Sequence, residues 1–212
     1  MTKVKICGLS TSDTMQAALN NGADLVGLVF FPKSPRNVSI AQATQLANLA
    51  AGQAQTVALI VDASDNLITD ILKAIKPDYF QAHGHETPER IAEIKTLTGR
   101  KIIKAIAVES LADIAKSEAY KKVADLILFD AKAPQSLVGA LPGGNGISFD
   151  WTLMKGVARP YMLSGGLNPD NVAAAITLTQ APLVDVSSGV ETAPGIKDVE
   201  LIAKFIKAAK SA

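Results

Sequence analysis

The chain has 212 residues, 48% of them hydrophobic, with 21 Lys and Arg set against 20 Asp and Glu. That length suits one domain or two small ones, and the apolar content excludes a disordered chain. The balanced charge argues against nucleic acid or an anionic membrane as the main partner, because both select basic surfaces. No apolar run approaches the roughly 18 residues of a spanning helix. The single cysteine, Cys7, leaves no internal disulfide or cysteine zinc cluster. The opening stretch from Met1 to Cys7 is strand-like at once and lacks a leader pattern, so the expected compartment is the cytoplasm.

Short β-branched runs alternate with longer segments of helical period. Val4–Ile6 predicts a first strand, with a helix starting near Ser12. Leu25–Phe30 is followed by a helix from Ile40, capped by Ser39. Thr56–Val61 precedes a helix from Asn66, Tyr79–Gln81 one from Thr87, and Ile102–Ile106 one from Ser110. Leu126–Phe129 opens the weakest unit: the Pro- and Gly-rich stretch from Ala131 to Phe149 predicts a long loop, with a short helix at Trp151. Tyr161–Leu163 precedes a helix near Asn168 with Pro169 in its first turn. Leu183–Val186 precedes a last helix from Ile196, whose Lys204, Lys207 and Lys210 make a solvated face. Eight such units without a linker predict an α/β fold, a single (β/α)8 (TIM) barrel over residues 1–212. An open doubly wound sheet is the alternative, but the Gly-x-Gly-x-x-Gly that follows its first strand is absent.

A barrel of this kind carries its chemistry just past the C-terminal ends of its strands. Read that way, the mouth receives Cys7, Arg36, Asp62, Gln81, His83 and Asp130, together with two similar loops, Leu163-Ser-Gly-Gly-Leu167 and Val186-Ser-Ser-Gly-Val190. The paired loops are the strongest signal. Glycines let backbone N–H groups approach a phosphate, so Gly165, Gly166, Ser188 and Gly189 are the predicted phosphate site; plain turn glycines are the alternative. Cys7 is either a packed thiol or a base, and as a base it needs a nearby positive charge or amide dipoles to favour the thiolate. Asp130, after an apolar run, suits a general acid, or else a helix cap or partner of Lys132. Arg36 in its Pro-bounded loop suits a bidentate grip on a carboxylate, and His83 suits polarising a substrate oxygen; a surface charge and a structural histidine are the alternatives. His85 is expected in solvent, and no His/Cys/Asp set has metal-ligand spacing.

Together these residues resemble the phosphoribosylanthranilate isomerases of tryptophan biosynthesis. The likeness runs in order through Val4-Lys-Ile-Cys-Gly-Leu9, Phe31-Pro-Lys-Ser-Pro-Arg-Asn-Val-Ser39, Gln81-Ala-His-Gly84, Leu128-Phe-Asp-Ala-Lys132, Gly143-Gly-Asn-Gly146 and Phe149-Asp-Trp151. It ends with Leu163-Ser-Gly-Gly-Leu-Asn-Pro169 and Asp185-Val-Ser-Ser-Gly-Val-Glu191. The resemblance implies an Amadori rearrangement of N-(5-phosphoribosyl)anthranilate, an aminoaldose, to the 1-deoxyribulose 5-phosphate aminoketose, without a cofactor or metal. It implies Asp130 as general acid on the furanose ring oxygen and Cys7 as general base at sugar C2. Arg36 would hold the anthranilate carboxylate, the turns around Gly166 and Ser188-Gly189 the phosphate, and Gln81, His83 and Asp185 would line the pocket. The expected partner is this small sugar phosphate, and both a monomer and a homodimer fit. Ala82 stands where the family has Leu and Ile147 where it has a basic residue; Ala82 is expected to face away from Gln81 and His83, and the long loop to fold over the mouth.

Two other classes compete. A Schiff-base aldolase needs a lysine inside the barrel, for which Lys104 is the candidate; a metal-dependent epimerase is poorly served by two histidines, both after strand four. A barrel that only binds its ligand is the other rival.

Overall fold

Strands buried on both faces belong in a closed parallel ring, where the side chains of one face fill the barrel and those of the other pack under helices. The eight principal strands read that way. In the computed structural model, which describes residues 1–133 and 141–212, they are β1 (Lys3–Cys7), β2 (Leu25–Phe30), β3 (Gln55–Ile60), β4 (Tyr79–Ala82), β5 (Lys101–Val108), β6 (Leu126–Ala131), β7 (Tyr161–Leu163) and β8 (Leu183–Val186). They pair in sequence order, and β1 closes the barrel on β8. The intervening helices are α1 (Ser12–Asn20), α2 (Ile40–Ala50), α3 (Asp65–Ile75), α4 (Pro88–Thr98), α5 (Leu111–Ala115), α6 (Val172–Thr179) and α7 (Val199–Lys210).

Period-two alternation sorts each strand's residues. Leu25, Val57, Ile103, Leu126, Leu128 and Met162 pack together inside the barrel, with Cys7, Val29 and Leu59 in a layer above. Val4, Ile6, Val26, Leu28, Ile127 and Phe129 turn outward into the core shared with the helices. The interior is therefore plugged below, and polar inward side chains collect near the C-terminal rim.

The other rim is held by a repeated device. Asp24, Asp78 and Asp125 each precede an even-numbered strand. Each accepts a backbone N–H from the start of the preceding strand: Val4 at 2.9 Å, Thr56 at 2.7 Å and Ile102 at 2.8 Å. Such pairs give unsatisfied strand ends a charged acceptor.

Strand ends and helix starts lie close to the sequence reading, with local differences that have local causes. Helix α1 begins at Ser12, behind a Thr11 cap that accepts from Thr14 N. Helix α3 begins at Asp65 behind the Ser64 cap, one residue before Asn66. Asn168 builds a turn by accepting from the N–H of Asp170 and Asn171, so Pro169 lies in that turn and α6 begins only at Val172. Ile196 starts no helix: it belongs to a small antiparallel hairpin, β9 (Glu191–Ala193) and β10 (Ile196–Lys197), turned by Pro194 and Gly195, and α7 follows the Asp198 cap. The Trp151 segment is a short 3-10 turn (Trp151–Met154). Residues 134–140 of the predicted long loop lie outside the described residues. No helix among the described residues is long and apolar enough to cross a membrane.

Candidate active site

One cavity opens at the C-terminal rim, and its wall includes Cys7, Arg36, Gln81, His83, Asp130 and Asp185. Gly165, Gly166, Ser188 and Gly189 complete that wall on the β7–β8 side. These ten sequence candidates thus converge, delivered by inward positions at strand ends and by the loops that follow.

Cys7 ends β1 with its thiol buried. Burial pushes the thiol above its ordinary value, while Lys5, two residues earlier on the same face, pulls it down. Lys5 has no exposed surface, and its ammonium donates to Asp185 Oδ1 at 2.9 Å. The other carboxylate oxygen of Asp185 accepts from Ser164 Oγ at 3.2 Å.

Asp130 stands one residue before the end of β6, across the cavity from β1, and Asp130 Oδ2 lies 3.3 Å from His83 Nε2. His83 Nδ1 is 3.0 Å from Gln81 Nε2, and the buried Gln81 Oε1 has no partner among the described residues. Gly143, from the long loop, lies directly over this chain: a Cβ there would sit 2.7 Å from both Asp130 Oδ2 and His83 Nε2.

Arg36 reaches the cavity from the β2 loop, but its fork is already occupied. Nε donates to Glu191 Oε1 at 2.7 Å and Nη2 to Glu191 Oε2 at 2.8 Å. Nη2 also donates to the Gly144 carbonyl at 3.2 Å, and among the described residues the Nη1 hydrogens have no acceptor. The bidentate grip expected for substrate is therefore spent on a protein carboxylate. Lys197 completes the cluster at 2.6 Å from Glu191 Oε1 and also donates to the Ser187 carbonyl at 2.9 Å. Burial would raise Glu191, but the Arg36 and Lys197 cations hold it below the ordinary carboxylate value.

The two glycine loops lie against each other. A Cβ on Gly189 would run into the Leu167 carbonyl oxygen, so only glycine permits this approach. Gly166 has φ +68°, a left-handed backbone that disfavours side chains. Among the described residues, the N–H groups of Gly165, Gly166 and Leu167 donate to no protein acceptor. A run of such donors beside a glycine-lined turn is chemistry suited to an oxyanion.

Other candidates lie elsewhere. Asp62 is outside the cavity and ties the end of β3 to the next loop by accepting the His85 N–H at 2.7 Å. The His85 side chain is in solvent. Lys104 faces outward from β5 and pairs with buried Glu86 at 2.8 Å, so it is not the interior lysine an aldolase needs. Ala82 packs in the outer core, away from the cavity. Sequence reasoning missed Glu191, Lys197 and the depth of Lys5. For Lys5 and Asp185 a signal existed: both stand at inward positions of strands that a closed barrel makes neighbours.

Fold and site together define a closed-barrel enzyme class whose cavity at the C-terminal rim is lined by the glycine loops after the last two strands, an acid and a thiol. The sequence model of N-(5'-phosphoribosyl)anthranilate isomerase matches residues 4–208. The isomerase of Rhodopseudomonas palustris (strain BisB5) is 53% identical over 210 residues, covering 98% of this chain and 95% of its own. A crystal structure of phosphoribosylanthranilate isomerase bound to reduced 1-(o-carboxyphenylamino)-1-deoxyribulose 5-phosphate superposes with a TM-score of 0.86 at 33% identity, covering both chains fully. Monomers generated from the dimeric Thermotoga maritima isomerase superpose with a TM-score of 0.85, also at 33% identity and full coverage of both. The chain belongs to the phosphoribosylanthranilate isomerase family.

Proposed function

We propose that the chain performs its family's reaction, the aminoaldose-to-aminoketose step of tryptophan biosynthesis, with Asp130 as general acid and Cys7 as general base. The observation that carries this reading is the placement of a carboxyl and a thiol on opposite walls of one cavity beside a glycine-lined oxyanion site. Protonated Asp130 gives its proton to the furanose ring oxygen as the C1–O bond breaks, and the nitrogen lone pair forms the C1 iminium. The Cys7 thiolate then takes the C2 proton: the C–H pair becomes the C1–C2 double bond, and the iminium pair returns to nitrogen. The resulting enolamine gains a proton at C1 and loses the one on its C2 hydroxyl, leaving the ketone. The proton left on sulfur returns through the cavity's solvent to Asp130, which resets the pair.

The N–H groups at Gly165 and Gly166 and the turn at Ser188-Gly189 hold the phosphate. Arg36 meets the anthranilate carboxylate through Nη1, held in place by Glu191. Gln81, His83 and Asp185 fix the sugar hydroxyls. The ligand is thus a small sugar phosphate rather than a nucleic acid. The balanced charge and lone cysteine suit a single-domain cytoplasmic enzyme, and both a monomer and a homodimer accommodate this one-chain site.

The test follows the loss of anthranilate-type fluorescence on freshly made phosphoribosylanthranilate. Wild type turns over, and Cys7→Ala and Asp130→Asn each lose at least about 10²-fold in kcat. A folded wild type without turnover overturns the assignment; full activity in either variant overturns that residue's role.

A further inference from the structure

Lys5 is a long charged side chain with no exposed surface, and its three ammonium protons need acceptors. Asp185 Oδ1 is one, at 2.9 Å. Cys7 stands two residues further along the same strand, so both side chains enter the barrel on one face. Gly27 of β2 pairs in register with Cys7. A Cβ on Gly27 would sit 2.9 Å from Cys7 Sγ and 3.2 Å from Lys5 Nζ. Laid end to end, those distances bound the sulfur–ammonium separation at 6.1 Å. The missing methyl leaves this space to the two groups. The cavity wall includes Cys7 and Asp185 but not Lys5, which lies one layer deeper.

We propose that Lys5 is the positioning residue that makes Cys7 a base: its buried ammonium, held by Asp185 and given room by Gly27, stabilises the thiolate that receives the C2 proton. The proposal rests on reading Cys7 as the base. Lys5 keeps its own proton throughout and touches no substrate atom.

The charges around the thiol support this division of work. Burial pushes the thiol up most, and Lys5 is the strongest opposing group. Asp185 on β8 also pushes it up, and Lys197 on β10 pulls it down more weakly. Asp130 on β6 and His83 after β4 face it across the cavity, and the Arg36 side chain lies against neighbouring Gly8. Burial works against the charge on Lys5, but Asp185 and Cys7 outweigh it and hold its pKa above the ordinary lysine value. The shift favours the charged ammonium.

Cys7 is the chain's only cysteine, so thiolate ultraviolet absorbance has a single source. It is titrated in wild type, in Lys5→Met and in Lys5→Met/Asp185→Asn. The double variant leaves no lone buried charge and keeps the test open if the single variant does not fold. The thiolate is expected to appear at least one pH unit higher in Lys5→Met, and higher than in wild type by a smaller margin in the double variant, which also removes the upward push of Asp185. In Lys5→Met, kcat at neutral pH is expected to fall at least about tenfold with KM changed less than about threefold. A folded variant that titrates like wild type overturns the proposal. A shifted titration with unchanged kcat also overturns it, and Cys7→Ala then separates the two readings: an inactive Cys7→Ala removes the role of Lys5 alone, an active one removes the base as well.

Discussion

His83 Nε2 and Asp130 Oδ2 face each other across 3.3 Å, and Gln81 stands behind the ring at 3.0 Å from Nδ1. Two proton arrangements fit this chain. If the Gln81 amide donates to Nδ1, the proton on Nε2 points at an Asp130 carboxylate, and Gln81 Oε1 stays unpaired. If the amide is turned over, Oε1 accepts from Nδ1–H, and bare Nε2 accepts from a protonated Asp130. The second arrangement is the one a general acid needs before ring opening; it differs from the first by an amide rotation, a change of His83 tautomer and one added proton on Asp130. His83→Asn is therefore expected to lower kcat about tenfold, less than the 10²-fold of Asp130→Asn, because the acid survives without its partner. Equal losses in the two variants would give His83 the acid's own role. Steady-state fluorescence assays across pH 5–9 measure both.

Glu191 holds two buried cations at once, Arg36 and Lys197. Glu191→Gln keeps the shape and removes the charge, leaving those cations facing each other. The expected result is a KM raised about tenfold or more, as Arg36 loses its orientation, and a stability loss of about 3 kcal/mol. Substrate saturation curves and urea unfolding read the two effects, and an unchanged KM would show that Arg36 needs no clamp.

Gly189→Ala places a methyl against the Leu167 carbonyl and forces the β7 and β8 loops apart. Affinity for the phosphate should fall before anything else does. KM is expected to rise at least about tenfold, and inhibition by inorganic phosphate to weaken in parallel. Weakened catalysis with phosphate inhibition intact would place the phosphate elsewhere.

Much of this was legible beforehand because strand periodicity in a closed barrel is a strong rule. Once Cys7, Gln81 and Asp130 stand at inward strand ends, the ring forces them to one rim. The turn glycines were readable for the same reason. Glu191 was not: its partner Arg36 is 155 residues away, and neither local pattern distinguishes a clamp from a solvent-facing pair. The hairpin at Ile196 was hidden by an apolar spacing that continues into α7; its Pro194-Gly195 turn was the available cue.

Asp113 gives a pH-dependent contribution to stability. Its carboxylate is held down to about 2, first by the Lys116 ammonium at 2.6 Å and then by the N–H groups of Glu109 and Ser110 at the start of α5. A depressed carboxylate stabilises the fold fully above its ordinary value of 3.8 and loses that contribution as pH falls through about 2. Urea unfolding of wild type and Asp113→Asn is expected to differ at pH 6 and to converge as the pH approaches 2. A constant gap over that range would assign the effect to shape rather than charge.

The N-terminal rim should affect stability alone. Asp78→Ala removes acceptors for both the N–H and the hydroxyl of Thr56, and is expected to cost about 1–3 kcal/mol with kcat unchanged. A fall in kcat with stability intact would contradict the separation of the two rims.

The pairing of Lys5 with Asp185 spans 180 residues and crosses the β1–β8 seam. A chain emerging from the ribosome thus makes the ammonium long before its carboxylate. Until the eighth strand docks, burying Lys5 is unfavourable, so the first strand has reason to stay wet and loosely held. Ring closure buries the charge and completes the surroundings of the Cys7 thiol in one event. Chains without the eighth strand thereby lack the completed cavity wall.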